Sequence, residues 1–99
     1  MKRSIHKIAV LGSGVMGSRI ACHFANIGCE VLLLDIVPKE ASESSDKKAR
    51  NKIVDDALKF ALKSNPSPIY NKKFANRITT GNFDDNLAEI SEADWVIEV

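Results

Sequence analysis

Gly12-Ser13-Gly14-Val15-Met16-Gly17 sets three glycines two and three residues apart. The apolar run Ile8-Ala9-Val10-Leu11 stands directly before it, and apolar residues recur with helical spacing directly after it. Strand, glycine turn and helix in that order form a cradle for a diphosphate. Gly12 is expected to permit the tight turn. Gly14 lets the backbone approach the phosphates, and Gly17 lets the helix pack close to the sheet. The N–H groups around Gly14, Val15 and Met16 then face the anion, aided by the helix dipole, with Ser13 completing the loop.

A second chemical group lies 23 residues beyond Gly12, where Asp35 ends the apolar run Val31-Leu32-Leu33-Leu34. An acid at that separation accepts hydrogen bonds from the hydroxyls of an adenosine ribose. It also repels a 2′-phosphate. A hydrogen bond to a charged group contributes roughly 1.5–3 kcal/mol, so one carboxylate suffices to choose NAD over NADP. The residues that follow, Ile36, Val37 and Pro38, supply no cation for a phosphate. NAD is the expected cofactor. A flavin domain opens on the same loop and is the rival at this point.

These residues need a scaffold. Ile8–Leu11 and Val31–Leu34 read as strands buried on both faces. Between them, Met16, Ile20, Phe24 and Ile27 recur along one stripe of a helix, Arg19, His23 and Asn26 along another, and Gly28 stops it. Asp46 is placed to cap a long helix to about Ser64, with Ala49, Ile53, Val54, Ala57, Leu58, Ala61 and Leu62 on its apolar side. Asn65-Pro66-Ser67-Pro68 ends it. A short helical piece falls near Tyr70–Asn76. A weak strand at Arg77–Thr80 is closed by Gly81-Asn82. Asp84–Ser91 reads as two helical turns with Leu87 and Ile90 inward, and Trp95–Val99 as a fourth strand. The order β-α-β-α-β-α-β predicts an α/β fold with a doubly wound parallel sheet and right-handed crossovers. A complete sheet of this kind has six strands, so four make it incomplete, and residues 1–99 read as the N-terminal part of a dinucleotide-binding domain.

Composition agrees with one globular domain: 99 residues, 44% apolar, net charge +1. So small a charge gives no field for nucleic acid or an anionic membrane. No apolar stretch approaches the roughly 18 residues of a membrane span. The run after Lys7 is too short for a signal peptide. Cys22 and Cys29 make no C-x-x-C motif and read as reduced thiols in a cytoplasmic protein, packed as small inert hydrophobes. His6 and His23 read as surface or strand-start residues and Trp95 as core or edge cover. The charges are uneven, however. Residues 47–77 carry nine cations and two acids, and residues 78–99 carry six acids and no cation.

Ile8–Gly17 followed by Ile20-Ala21, then Val31–Ile36, then Ala93-Asp94-Trp95-Val96-Ile97-Glu98-Val99, resembles the opening of the NAD-dependent 3-hydroxyacyl-CoA dehydrogenases, and does so in order along essentially the whole chain. The resemblance implies a Rossmann-type fold. It further implies oxidation of an L-3-hydroxyacyl-CoA to the 3-ketoacyl-CoA in fatty-acid β-oxidation, with hydride passing to NAD. The family's catalytic His and Glu lie beyond its fourth strand, so no catalytic residue is expected in this chain. Val99 ends that strand beside the cofactor crossing, its backbone near the cofactor and its side chain explained by core packing. An acyl-CoA partner makes the basic stretch relevant: Lys59 and Lys63, four apart on one helix face, are candidates for the CoA phosphates. Any homo-oligomer is expected to form through parts outside this stretch. The alternatives are another NAD-dependent 3-hydroxyacid dehydrogenase, or a nucleotide-binding domain without catalysis.

Overall fold

A computed structural model describes residues 6–64 and 69–99. Four strands, β1 (Lys7–Leu11), β2 (Glu30–Asp35), β3 (Ile78–Asn82) and β4 (Trp95–Glu98), form one parallel sheet in the order β3-β2-β1-β4. The chain therefore adds strands on one side of β1 and then crosses to the other. That reversal leaves a crevice at the carboxyl ends of the strands, where ligands of such sheets bind. The register aligns Leu11 with both Leu34 and Glu98, and Asp35 with Asn82, so all four strand tips reach the same edge.

Alternation builds the core. Ile8, Val10, Val31, Leu33 and Ile78 point to one face of the sheet and pack with Ala21, Cys22, Ala25 and Val54. Ala9 and Leu34, on the opposite face, are also fully buried. This is why the first two strands read as continuous apolar runs.

Helix α1 (Val15–Asn26) turns a different side to the sheet from the one its large apolar residues suggest. Its buried residues are Gly17, Ser18, Ala21, Cys22 and Ala25, while Met16 and Ile27 are exposed and Ile20 and Phe24 only partly covered. Small side chains let the helix axis approach the strands, and close approach excludes larger ones. Gly28, at φ 98°, makes the left-handed turn that ends the helix region.

The long helix is present, but Asn51 divides it into α2 (Lys47–Arg50) and α3 (Lys52–Lys63). Asp46 caps the first piece, accepting from the Lys48 N–H at 3.1 Å. The backbone of Asn51 leaves helical geometry while its side-chain oxygen accepts from Asn82 Nδ2 at 2.7 Å. Val54 and Ala61 are buried, with Leu58 and Leu62 packed on the core. The stop expected at Asn65–Pro68 lies outside the described residues.

A 3-10 segment at Lys72–Arg77 replaces the helical piece expected there. Gly81 and Asn82 continue β3 rather than closing it, because Asn82 pairs with Asp35. After it come the single turn α4 (Phe83–Asn86) and a 3-10 segment at Leu87–Glu92. Leu87, expected inward, is exposed, since the tighter winding changes which positions face the sheet.

Candidate functional site

The glycine loop spans from the tip of β1 to the start of α1. Gly12 has φ 111°, a conformation open to glycine, and its N–H donates to the Leu34 carbonyl at 2.8 Å. The loop is thereby tied to β2. At Gly17 a Cβ would stand 1.8 Å from the Gly12 carbonyl oxygen, so only glycine permits the helix to start where it does.

Gly14 differs from both. Its φ of −57° is available to any residue, and among the described residues no atom beyond its chain neighbours lies within 4 Å of where a Cβ would stand. Neither backbone strain nor packing asks for glycine there. What a side chain would fill is the space in front of the helix. That helix start has no side-chain cap and no acid in its first turn. The first helical bond runs from the Ser18 N–H to the Gly14 carbonyl at 2.9 Å. Among the described residues, the N–H groups of Val15, Met16 and Gly17 have no partner, as the first turn of any helix leaves them. Val15 and Met16 have exposed side chains. The result is an open concavity bearing unpaired donors and the positive end of a helix dipole.

Asp35 faces this loop. Its Oδ2 accepts from the Ser13 N–H at 2.9 Å and from the Ser13 hydroxyl at 2.5 Å, and its Oδ1 accepts from the Ile36 N–H at 2.7 Å. Partial burial pushes this carboxyl up. The Ser13 hydroxyl and the N–H groups of Ile36 and Ser13 together outweigh that, holding it below the ordinary carboxylate range. Asp35 is therefore ionised at neutral pH and keeps acceptor capacity for further hydroxyls, since a carboxylate offers about four lone-pair sites. Ser13 itself is buried, and its carbonyl accepts from the Ser18 hydroxyl at 2.7 Å.

Val99 closes the other side of the loop. Its N–H donates to the Leu11 carbonyl at 3.1 Å, and its carbonyl oxygen lies 3.5 Å from where a Gly12 Cβ would stand. The residue is 55% exposed. The valine reaches past the strand onto the loop, its Cβ 3.7 Å from where a Gly12 Cβ would stand.

Lys59 and Lys63 stand exposed on α3 and do not line the loop. The cavity of about 250 Å³ beside Ser13, Gly14 and Val15 is walled instead by Ala57, Phe60, Ala61 and Ser64. Lys59 borders a separate hollow with Asp55, Asp56 and Thr80. His6 and His23 are exposed, the latter edge-on to Phe24. Trp95 is half-exposed and also meets Phe24 edge-to-face, at 5.9 Å, which makes it a cover for the β1–β4 side rather than a core residue. Cys22 and Cys29 are buried thiols; burial pushes the Cys22 thiol up, against a smaller opposing pull from Arg19. Among the described residues no group of three or more His, Cys, Asp or Glu is placed to hold a metal ion, and no helix is long and apolar enough to cross a membrane.

Two polar residues at this edge escaped the sequence reading. Ser18, one position past the glycine motif, braces Ser13. Asn82 is fully buried and caps α4, accepting from the Asp85 N–H at 2.8 Å. An Asn directly before Phe83-Asp84-Asp85 carried that signal, since acids favour the first turn of a capped helix.

Residues 7–99 match the family model described as 3-hydroxyacyl-CoA dehydrogenase, NAD binding domain. A Bacillus subtilis protein named "Probable 3-hydroxyacyl-CoA dehydrogenase" is 47% identical over 107 residues, covering 100% of this chain and 14% of its own length. A protein of the same name from Deinococcus radiodurans is 42% identical over 94 residues, covering 95% of this chain and 25% of its own. The chain thus spans a quarter or less of these relatives. Among solved structures, a diketoreductase from work on the dual catalysis of dicarbonyl compounds superposes with a TM-score of 0.60 at 28% identity, over 99% of this chain and 32% of that one.

Proposed function

Since the chain belongs to the 3-hydroxyacyl-CoA dehydrogenase family, matching its NAD-binding domain, we propose that residues 1–99 are the N-terminal part of a dinucleotide-binding domain and hold NAD for a larger dehydrogenase. The reaction of that larger protein is oxidation of an L-3-hydroxyacyl-CoA to the 3-ketoacyl-CoA. NAD supplies the hydride acceptor. The chain's own residues bind and orient. The unpaired N–H groups of Val15, Met16 and Gly17 receive the diphosphate, Gly14 leaves room for it, and Asp35 receives the ribose hydroxyls. The Val99 backbone borders the crossing beyond Gly12.

The observation that carries this reading is the glycine at position 14. It stands where neither its φ nor any neighbour among the described residues requires one, in front of an uncapped helix and beside a loop locked to an ionised acid. Calorimetry on the full-length protein tests it. Gly14→Val and Asp35→Ala should each weaken NAD binding at least about tenfold, the equivalent of one charged hydrogen bond. Wild-type affinity in both variants would overturn the assignment.

Neither His6 nor His23 lines the cavity beside the glycine loop, and a general base must come within hydrogen-bond reach of the substrate hydroxyl. Produced alone, residues 1–99 should yield no NADH from a 3-hydroxyacyl-CoA. The acyl-CoA reading also gives Lys59 and Lys63 a role. The two lie on the exposed side of α3, away from the loop cavity, so a CoA phosphate could meet them without touching the NAD site. In the full-length enzyme, Lys59→Glu with Lys63→Glu should raise KM for the CoA ester and spare NAD affinity; an unchanged KM removes the idea. A cytoplasmic protein, with any homo-oligomer formed through other parts of the molecule, completes the proposal.

A further inference from the structure

One side chain holds the connection that follows Asp35. Arg50, the last residue of α2, is only 15% exposed although permanently charged. Its Nε and Nη2 donate to the two carboxylate oxygens of Asp85 at 2.8 and 3.0 Å. Its Nη1 donates to the carbonyls of Ser42 and Ser44, each at 3.1 Å, and reaches that of Ala41 at 3.5 Å. Asp84 lies 3.8 Å away. A plain surface ion pair would use the carboxylate and leave the carbonyls to water. Here one planar guanidinium satisfies both sets, a geometry that suits its fork of donors and not a lysine ammonium.

Asp85 passes the restraint on. It accepts from Asn82 Nδ2 at 3.0 Å, and Asn82 in turn pairs with Asp35 across the β2–β3 register. The contacts close a ring: from Asp35 along the chain to Ser44, through Arg50 and Asp85 to Asn82, and back across the sheet to Asp35. Asp35 joins the ring to the glycine loop through its bonds to Ser13. The ring restrains the acid and the Ile36–Pro38 stretch behind it from the β3 side of β2, opposite β1 and its glycine loop.

We propose that Arg50 is a positioning residue for the adenosine half of the dinucleotide: it pins residues 41–44 to the tip of β3 and so holds Asp35 and its following loop in receiving position. This rests on the NAD-binding reading above. It also removes Arg50 from the basic stretch as a free cation, because its charge is spent within the fold.

The test is equilibrium titration of ADP-ribose and NADH into the full-length protein and its Arg50→Met, Arg50→Lys and Asp85→Asn variants, with steady-state kinetics alongside. Arg50→Met should raise the Kd for ADP-ribose about tenfold, the loss of charged hydrogen bonds at one centre. Arg50→Lys should fail to restore it. KM for NAD should rise by a larger factor than kcat falls. Should Arg50→Met not fold, Asp85→Asn, which keeps the carbonyl contacts, should raise the same Kd by a smaller factor. An ADP-ribose Kd within twofold of wild type in a folded Arg50→Met or Asp85→Asn variant overturns the proposal, as does full rescue by lysine. Wild-type protein that binds no ADP-ribose would sink the NAD reading itself, and the role of Arg50 with it.

Discussion

At the scale of single residues, the glycines of one motif answer to different constraints, and substitution separates them. A Cβ at Gly17 collides with the Gly12 carbonyl, a backbone atom that cannot step aside without moving the loop. Gly17→Ala should therefore cost about 3 kcal/mol or more of folding stability, beyond ordinary overpacking, as read from denaturant midpoints. Gly14→Ala meets open space and should shift stability by no more than about 0.5 kcal/mol, while still weakening NAD. Asp35 adds a pH signature. Its folded carboxyl sits below the ordinary range, so its contribution to stability is fully present above the unfolded-state value and is lost as pH falls through the folded one. Asp35→Asn should accordingly be less stable than wild type at pH 7. The gap should narrow in strong acid, where wild type loses the same charge. Parallel unfolding curves with a constant gap down to pH 2 would show that the Ser13 contact carries no charge linkage.

At the scale of elements, periodicity revealed which segments are helices and misled about which way the first one faces. Met16, Ile20, Phe24 and Ile27 make the more apolar stripe, yet Gly17, Ala21 and Ala25 meet the sheet. Bulk is a poor guide where distance is the constraint: the glycine loop fixes the start of α1 so near β1 that only small residues fit beneath it. Ala21→Leu should thus destabilise by about 1–3 kcal/mol, whereas Met16→Gln and Ile27→Gln should stay within about 0.5 kcal/mol, measured by chemical denaturation. The glycine loop and Asp35 were legible because their signal is local and each position has one physical reason. The Arg50 clamp was not. Its partner Asp85 is 35 residues away, and no spacing rule links a helix end to a turn on another strand. Charge counting placed Arg50 in a basic stretch, because a count carries no record of which cations are already paired within the fold. The break at Asn51 has the same origin, a side chain drawn to Asn82 across the sheet tip.

At the scale of the whole molecule, the sheet is guarded unequally. α1 and α3 cover one face against β1, β2 and β3, and α4 packs against β2 and β3. β4 lies at the edge, and its residues Trp95 and Val96, with Val99 beyond them, remain half or more than a third exposed. An edge strand offers unpaired N–H and C=O groups, and apolar side chains along it favour pairing with another chain. β3, at the opposite edge, is better protected: its tip is sealed by Asn82 and α4, and Thr79 is its exposed outward side chain. The two edges therefore differ in hazard, and the difference falls on the side of the sheet where a dinucleotide fold adds its remaining strands. Residues 1–99 expressed alone should associate with rising concentration through β4, seen as increasing mass in sedimentation equilibrium. Val96→Lys, a charge in the middle of that edge, should hold the chain monomeric, while Thr79→Lys at the far edge should leave association unchanged. Equal suppression by both would place the contact elsewhere than on β4.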